Sequence, residues 1–299
     1  MPVPEALAND INSKYIKKPN INKSASSASE YRNWTLLLTP DTPKVILSHK
    51  RRTESKVTVY PNLTTEDTSS AKQPKIVVHW LERSRAQRII WLLEELGLKY
   101  ELKIYRRTEN RVAPPELRGI HPLGKSPVIT VDDLVLAESG FIVEYLTTRW
   151  GRLRPDPSSP AAMQYQYLLH YVEGTLMPPL VIGEVMQQIK KSPQIPFFIK
   201  PIANMIVNGV YNNYLNSAYE GNFRFLETLL DGKEYFAGEF SGADVMLGFP
   251  LVEAAKGRVK GFDKQMFPNL FAWMDRVSSR EGYKQAEART EKHEQLLDK

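Results

Sequence analysis

Residues 119–129, GIHPLGKSPVI, match the spacing of a phosphate-binding loop: two glycines five positions apart, followed by Lys125 and Ser126. Such a loop binds nucleotide only when a strand enters it and a helix begins at the lysine, because backbone N–H groups and the helix's positive end hold the phosphates. Pro127 follows directly and disfavours helical geometry at Ser126. The next residues, VITV, are β-branched and typical of a strand. The sequence therefore argues against a nucleotide site. It leaves open which other function requires a Lys-Ser-Pro stretch directly before a strand.

The cysteine and histidine content narrows the chemistry further. The chain has no cysteine, which excludes disulfides, a cysteine nucleophile, thiolate metal sites and dithiol redox chemistry on the protein itself. Its five histidines show no H-x-x-x-H spacing, so a metal site has no local support. The formal charge of +6 is not accompanied by a recognised nucleic-acid motif. We therefore expect no bound metal and no nucleic-acid partner.

The elements that must position the Lys-Ser-Pro stretch begin at Lys75. KIVVHW is a compact β-branched run, typical of a buried strand. SRAQRIIWLLEELG then places apolar residues at helical spacing, with Ser84 as a predicted N-cap and Gly97 as the C-terminal stop. LKYELKI alternates apolar and polar residues as a strand does. This order predicts a β-α-β unit whose strands pair in parallel.

A β-β-α segment follows the Lys-Ser-Pro stretch. PVITV and LVL flank the acidic pair Asp132-Asp133, which predicts two strands joined by a tight hairpin. A helix is expected from Ser139 to Trp150. Residues 75–152 are therefore predicted to form one α/β domain of order β-α-β-β-β-α.

From Ser158 onward every segment has a helical pattern, which predicts an all-α second domain over residues 158–299. Pro160 suits the first position of its first helix, and Pro178-Pro179 are expected to break or kink that helix. Further helices are predicted near residues 201–230, 241–256 and 268–280.

Ser241 and Asp244 have the S-x-x-D spacing of a capping box, in which each side chain accepts the other residue's backbone N–H. The role predicted for this pair is structural. A substitution of Asp244 is expected to cost about 1 to 2 kcal/mol of folding free energy without changing the chemistry.

Residues 1–74 are polar and lack sustained periodicity, so they are predicted to be mostly disordered. WTLLL and KVILSH are short apolar exceptions that suggest a docking segment, and the basic run HKRR at 49–52 suggests a targeting signal; an unstructured extension is the alternative. No apolar stretch approaches the ~18 residues of a membrane-spanning helix, and the N-terminus lacks the apolar core of a secretory signal. A cytoplasmic location is expected.

Together these elements and motifs resemble a cytosolic glutathione S-transferase. The resemblance covers roughly residues 75–299 and is carried by HWLERSRAQRIIWLLEELGL, APPELRGIHPLGKSPVI, LAESGFI, YVEGTLMPPL and SGADVMLGFPL. These stretches are most similar to the fungal group of yeast glutathione transferase I type. The resemblance implies a thioredoxin-like domain followed by a helical bundle, glutathione as co-substrate, small hydrophobic electrophiles as second substrates, a role in detoxification and a homodimer.

The resemblance also implies roles for the residues of the Lys-Ser-Pro stretch and for those at the start of the helix predicted from Ser139. The peptide bond before Pro127 would be cis and would turn the backbone of Ser126 toward the cysteinyl part of glutathione. Lys125 would lie near a glutathione carboxylate. Glu138 would accept the α-ammonium of the γ-glutamyl group. Ser139 would cap the following helix with its hydroxyl and leave its backbone N–H for the γ-glutamyl carboxylate.

The group that stabilises the glutathione thiolate is less directly indicated. Tyrosine classes of this family place a tyrosine at the end of the first strand, where this chain has Trp80, and cysteine classes are excluded by composition. Ser84 remains as the catalytic hydroxyl, with Arg85 beside it as a source of positive potential. The alternative for Ser84 is a helix cap that does not contact the ligand.

Three functions remain open on the sequence alone. The first is conjugation of glutathione to hydrophobic electrophiles, with or without peroxidase activity. The second is a non-catalytic regulatory or interaction protein of the same fold, although the extension is not rich in Asn and Gln as in the fungal nitrogen-repression regulators. The third is a glutathione-dependent disulfide reductase.

Overall fold

The computed structural model describes residues 73–297, with side chains described through residue 291. The predictions made for WTLLL, KVILSH and HKRR, and for disorder up to residue 72, lie outside the described residues. Within the described part, no helix is long and apolar enough to cross a membrane.

A four-stranded sheet forms the first half of the described chain. Its strands are β1 (Ile76–Leu81), β2 (Glu101–Tyr105), β3 (Val128–Val131) and β4 (Leu134–Ala137), in the order β2-β1-β3-β4. β1 pairs with β2 in parallel and with β3 in antiparallel orientation, and β3 pairs with β4 as a hairpin. The predicted parallel β-α-β unit and the predicted hairpin are both confirmed.

Two helices pack with this sheet. α1 (Gln87–Leu96) connects β1 to β2 and ends at Gly97, whose φ of 68° is left-handed as a C-terminal glycine requires. α2 (Ser139–Arg149) follows β4 directly. Between β2 and β3 lies a short 3₁₀ turn, Pro115–Gly119. The thioredoxin-like order β-α-β-β-β-α is confirmed.

The second half of the described chain is all-helical, as predicted. Its helices are α3 (Pro160–Tyr171), α4 (Met177–Lys191), α5 (Lys200–Val210), α6 (Asn216–Leu229), α7 (Gly242–Glu253), α8 (Pro268–Ser278) and α9 (Glu281–Leu297). α7 is almost entirely buried and packs against α1 at Gly248, where a Cβ would lie 2.5 Å from the Trp91 ring. A glycine is therefore needed at this contact.

Pro178-Pro179 were predicted to break or kink the helix, and they do not break it. α3 continues into α4 through a π-helical turn, Val172–Leu176, just before the two prolines. A proline ring collides with the carbonyl four residues earlier and offers no N–H. Widening the preceding turn accommodates both effects without ending the helix.

The C-terminal helix α9 lies in the part of the chain predicted to be all-helical, but its bounds were not predicted from the sequence. Its segment, EGYKQAEARTEKHEQLL, is strongly polar, and Ala286 and Thr290 are the chief buried side chains among its residues up to 291. Ion pairs hold the C-terminal region to α1, between Arg280 and Glu95 at 2.8 Å and between Arg289 and Glu94 at 2.5 Å. Hydrophobic periodicity alone therefore does not define where this helix begins and ends.

The capping box at the start of α7 is confirmed and is part of a larger network. Asp244 is fully buried and accepts hydrogen bonds from the backbone N–H groups of Phe236 and Ser241, the Ser241 hydroxyl and Trp273 Nε1. Phe236 lies eight residues upstream of Asp244, and Trp273 lies on α8. Asp244 therefore joins separate segments of the helical half.

Candidate functional site

Six of the seven predicted site residues line one pocket that is open to solvent. They come from the turn before α1, the loop before β3 and the junction of β4 with α2: Arg85, Lys125, Ser126, Pro127, Glu138 and Ser139. The seventh, Ser84, adjoins the pocket through its hydroxyl, 3.1 Å from that of Ser126. His121, Leu123 and Ala137 complete the lining and were not predicted, although all three lie within or beside the motifs singled out above.

The Lys-Ser-Pro loop has none of the geometry of a phosphate-binding loop. No helix begins at Lys125, and strand β3 starts at Val128, as the position of Pro127 predicted. The Ser126–Pro127 peptide bond is cis, as the resemblance implied. Gly124 has a φ of 57°, and a Cβ there would lie 2.6 Å from the Arg118 side chain. The loop is thus fixed by its own packing beside the pocket.

The junction of β4 and α2 differs from the prediction in its cap. Glu138, not Ser139, is the N-cap residue of α2, and no side chain caps the helix. Glu138 has φ 72° and ψ 121°, a conformation that costs a non-glycine residue energy and that tends to occur at functional sites. Ser139 is the first helical residue, and its buried Oγ has no hydrogen-bond partner among the described residues. An unpaired buried hydroxyl beside a helix N-terminus fits an anionic ligand group.

Ser84 also differs from its predicted role as N-cap. The N-cap of α1 is Ala86, and Ser84 lies in the turn two residues before it. Its Oγ accepts the backbone N–H of Ala86 at 3.2 Å. The hydroxyl proton is not used by this bond, so Ser84 can donate it either to Ser126 Oγ or to a group in the pocket.

Arg85 is held at the pocket by a carboxylate from the helical half of the chain. Glu173, in the π-helical turn between α3 and α4, forms ion pairs with Arg85 and with Arg88 on α1. Arg88 is completely buried, and burial lowers the pKa of its guanidinium to about 10. Its Nε and Nη2 have no partner among the described residues, and its guanidinium lies 5.5 Å from the Phe249 ring centroid. The Glu173 carboxylate therefore joins the two halves of the chain directly behind the pocket.

The tyrosine alternatives do not reach this pocket. Trp80 is buried in the core at the end of β1, and no tyrosine is among the residues that line the pocket. Tyr171 and Met177 are buried in the helical half. Tyr167 is half exposed and stacks on Tyr171 at 5.7 Å between ring centroids. Among the described residues that line or adjoin the pocket, the hydroxyl groups belong to Ser84, Ser126 and Ser139.

The charges around the pocket complement a zwitterionic peptide. Arg85 and Lys125 supply two cations, Glu138 supplies one anion, and Ser139 adds a free hydroxyl at the start of α2. A ligand with two carboxylates and one ammonium would match this set.

Comparison with known proteins identifies the family. The family model described as the glutathione S-transferase N-terminal domain matches residues 74–148, and the one described as the C-terminal domain matches residues 213–281. Glutathione S-transferase 1 of Saccharomyces cerevisiae is 37% identical over 220 residues, which cover 70% of this chain and 93% of the relative. Glutathione S-transferase 3 of Schizosaccharomyces pombe is 35% identical over 208 residues, covering 69% and 84%.

Solved structures agree with these sequence matches. The crystal structure of a glutathione S-transferase from Actinobacillus pleuropneumoniae is 33% identical and superposes with a TM-score of 0.55 over 72% of this chain and 93% of its own. A glutathione transferase from Phanerochaete chrysosporium, solved with oxidized glutathione, shares the fold at 20% identity and a TM-score of 0.59, covering 77% and 99%. The chain belongs to the glutathione S-transferase family.

Proposed function

We propose that this protein conjugates the thiolate of glutathione to small hydrophobic electrophiles. Residues 75–152 form the glutathione-binding domain, and residues 158–299 supply the surface against which the electrophile binds. The observation that carries the proposal is the convergence of Arg85, Lys125, Glu138 and Ser139 on one pocket beside a hydroxyl. These groups complement the two carboxylates, the ammonium and the thiol of glutathione.

Each end of glutathione has a group to receive it in this proposal. The γ-glutamyl ammonium pairs with Glu138, and its carboxylate meets the start of α2, where Ser139 has a buried hydroxyl without a partner. The cysteinyl backbone pairs with the backbone of Ser126, and Lys125 attracts the remaining carboxylate. The thiol then points toward the turn that precedes α1.

The turn that precedes α1 supplies the groups that activate the thiol in this proposal. The Ser84 hydroxyl donates its proton to the thiolate, and Arg85 adds positive potential. Glutathione supplies the nucleophile, so the protein's own contribution is thiolate stabilisation and proximity of the two substrates.

The Glu138→Gln variant tests the binding half of the proposal. The change keeps the side chain's shape and removes its charge, so the ammonium of glutathione loses an ionic partner. Glu138 is exposed before the ligand arrives, and we expect a loss of about 1 to 2 kcal/mol, or a rise in Kd of about five- to thirtyfold. Calorimetric titration with glutathione measures it. Glu109→Gln, an exposed carboxylate in the β2 to β3 connection, is the matched control, and an unchanged Kd for Glu138→Gln would remove this residue from the site.

The Ser84→Ala variant tests the activation half. Loss of a hydrogen bond to the thiolate should raise the pKa of bound glutathione by about one to two units, since such a bond contributes roughly 1.5 to 3 kcal/mol. Turnover near neutral pH should then fall by about one to two orders of magnitude, with glutathione affinity nearly constant.

The control for this variant is Ser126→Ala, which removes the neighbouring hydroxyl but keeps the backbone groups proposed to hold the ligand. We expect it to leave the thiol's pKa close to that of the wild type. If Ser84→Ala only lowers stability by about 1 kcal/mol, as loss of its bond to Ala86 would do, its role is structural.

Activity assays separate this proposal from its rivals. The full chain is tested with electrophilic aromatic and unsaturated carbonyl substrates, with organic hydroperoxides and with mixed disulfides, each in the presence of glutathione. Conjugation supports the proposal directly. Glutathione binding without turnover on any substrate would favour the regulatory protein, and turnover of mixed disulfides alone would favour the reductase.

The family resemblance also supports a homodimer. A native mass twice the 34.2 kDa of the chain by light scattering is the expected result, and a native mass of one chain would contradict it.

A further inference from the structure

An exposed apolar surface lies in the helical half, where α4 is connected to α5. Its members are large side chains within ten consecutive residues, and we call them the apolar tip: Phe197 (83% exposed), Phe198 (67%), Ile199 (40%), Ile202 (55%), Met205 (67%) and Ile206 (60%). None of them lines the glutathione pocket. Soluble proteins rarely expose contiguous large apolar side chains without a binding role.

The geometry of α5 gathers these side chains on one face. Ile202, Met205 and Ile206 follow the i, i+3, i+4 spacing of a single helical face. Val207, on a different face, is buried. Phe197 and Phe198 extend this face into the preceding turn, with their rings edge to face at 5.6 Å. One side of α5 therefore packs against the rest of the protein, and its more apolar side is exposed.

The charged residues next to the apolar tip along the chain have one sign. Exposed Lys190, Lys191 and Lys200 flank it, and residues 185–219 contain no other charged side chain. The nearest acidic residues along the chain are Glu184 and Glu220, at the two borders of this segment. A partner for this surface must therefore accept apolar side chains at its centre and provide negative charge around them.

The apolar tip of a second copy does not satisfy that requirement. In a symmetric dimer that pairs the two tips about the twofold axis, the three lysines of each copy would approach three lysines of the other, and residues 185–219 offer no carboxylate between them. Like charges placed together in this way oppose association.

We propose that the apolar tip docks on an anionic lipid surface. Phe197, Phe198 and the exposed face of α5 enter the boundary between headgroups and acyl chains, and the lysines contact anionic headgroups. The described helices are too short or too polar to span a bilayer, so the protein lies on the surface. This proposal does not depend on the transferase activity.

Sedimentation of the full chain with vesicles tests it. Binding to vesicles of phosphatidylcholine mixed with phosphatidylserine should exceed binding to phosphatidylcholine alone and should weaken as salt is raised. Replacing Lys190, Lys191 and Lys200 together with Gln should lower binding to the anionic vesicles by about 100-fold, because each lysine near the surface contributes about fivefold. The Phe197→Ser, Phe198→Ser double variant should lower it by about tenfold or more.

Two controls make the result specific. Val112→Ser with Met266→Ser removes exposed apolar side chains elsewhere and should leave binding unchanged. Neutralising Lys50, Arg51 and Arg52 tests whether the other basic run of the sequence binds the vesicles. Tip variants that bind as the wild type does, or binding lost only when that basic run is neutralised, would overturn the proposal. So would an absence of vesicle binding together with a dimer that the Phe variants dissociate.

Discussion

Replacing Glu173 with Gln is expected to lower the free energy of unfolding by about 3 to 5 kcal/mol. Glu173 is the carboxylate that pairs with the fully buried guanidinium of Arg88. A buried ion pair stabilises little on balance, but removing one partner leaves the other charge uncompensated in a low-dielectric interior. Burial already lowers the pKa of Arg88 to about 10 with Glu173 present. Denaturant unfolding monitored by circular dichroism measures the free energy of unfolding of the variant and of the wild type.

A double variant separates loss of charge balance from loss of packing. Arg88→Met combined with Glu173→Gln removes both charges, so it should recover a large part of the stability lost in Glu173→Gln alone. Glu184→Gln, an exposed carboxylate on α4, is the control and should change stability by less than about 1 kcal/mol. A Glu173→Gln protein as stable as the control would contradict the role of this carboxylate.

Replacing Asp244 with Ala is the second large change, and we expect it to cost about 3 to 5 kcal/mol near neutral pH. This exceeds the 1 to 2 kcal/mol expected from a capping box alone. The structure adds Phe236 N–H and Trp273 Nε1, at 3.3 and 2.9 Å, to the donors that would lose their acceptor in the interior. Each buried donor left unsatisfied costs about 1 to 3 kcal/mol. Equilibrium unfolding of the variant measures the loss, and glutathione binding by whatever remains folded should be unchanged.

The cost of Asp244→Ala should also depend on pH. Burial raises the pKa of the Asp244 carboxyl from 3.8 to about 6, despite the hydrogen bonds that favour its charged form. A group whose pKa is raised on folding stabilises fully below its unfolded pKa, and this part is lost as pH rises through the folded pKa. The stability difference between wild type and variant should therefore shrink by about 2 kcal/mol between pH 4 and pH 7. A difference that grows with pH over that range would contradict the raised pKa.

Local sequence signals were sufficient for the α/β half of the fold. The β-branched runs, the helical spacing before Gly97 and the turn at Asp132-Asp133 specify elements whose partners lie close along the chain, and the sheet pairs them as predicted. The proline after Ser126 was enough to exclude a phosphate-binding loop. The bounds of the polar helix α9 were not predicted, because few of its described side chains are buried and the ion pairs that hold this region to α1 join positions almost 200 residues apart.

The residues that line the pocket were predictable from the family motifs, and the tertiary contacts behind them were not. Lys125, Ser126, Glu138 and Ser139 were found through the motifs that carry them, and the structure places them on one pocket. The caps were wrong by one or two residues, because the left-handed φ of Glu138 and the turn at Ser84 are not evident from residue type. Glu173 gave no local signal, because its role depends on Arg85 and Arg88, which lie 88 and 85 residues earlier in the chain.

The most direct test of the central claim is the ionisation of glutathione bound to the full chain. Ultraviolet absorbance of the thiolate is followed as pH is varied, with free glutathione and with the protein saturated by glutathione. A pocket that stabilises the thiolate through Ser84 and Arg85 predicts a midpoint at least about one unit below the ordinary thiol pKa of about 8.5. A bound thiol that titrates at the same pH as free glutathione would contradict the account.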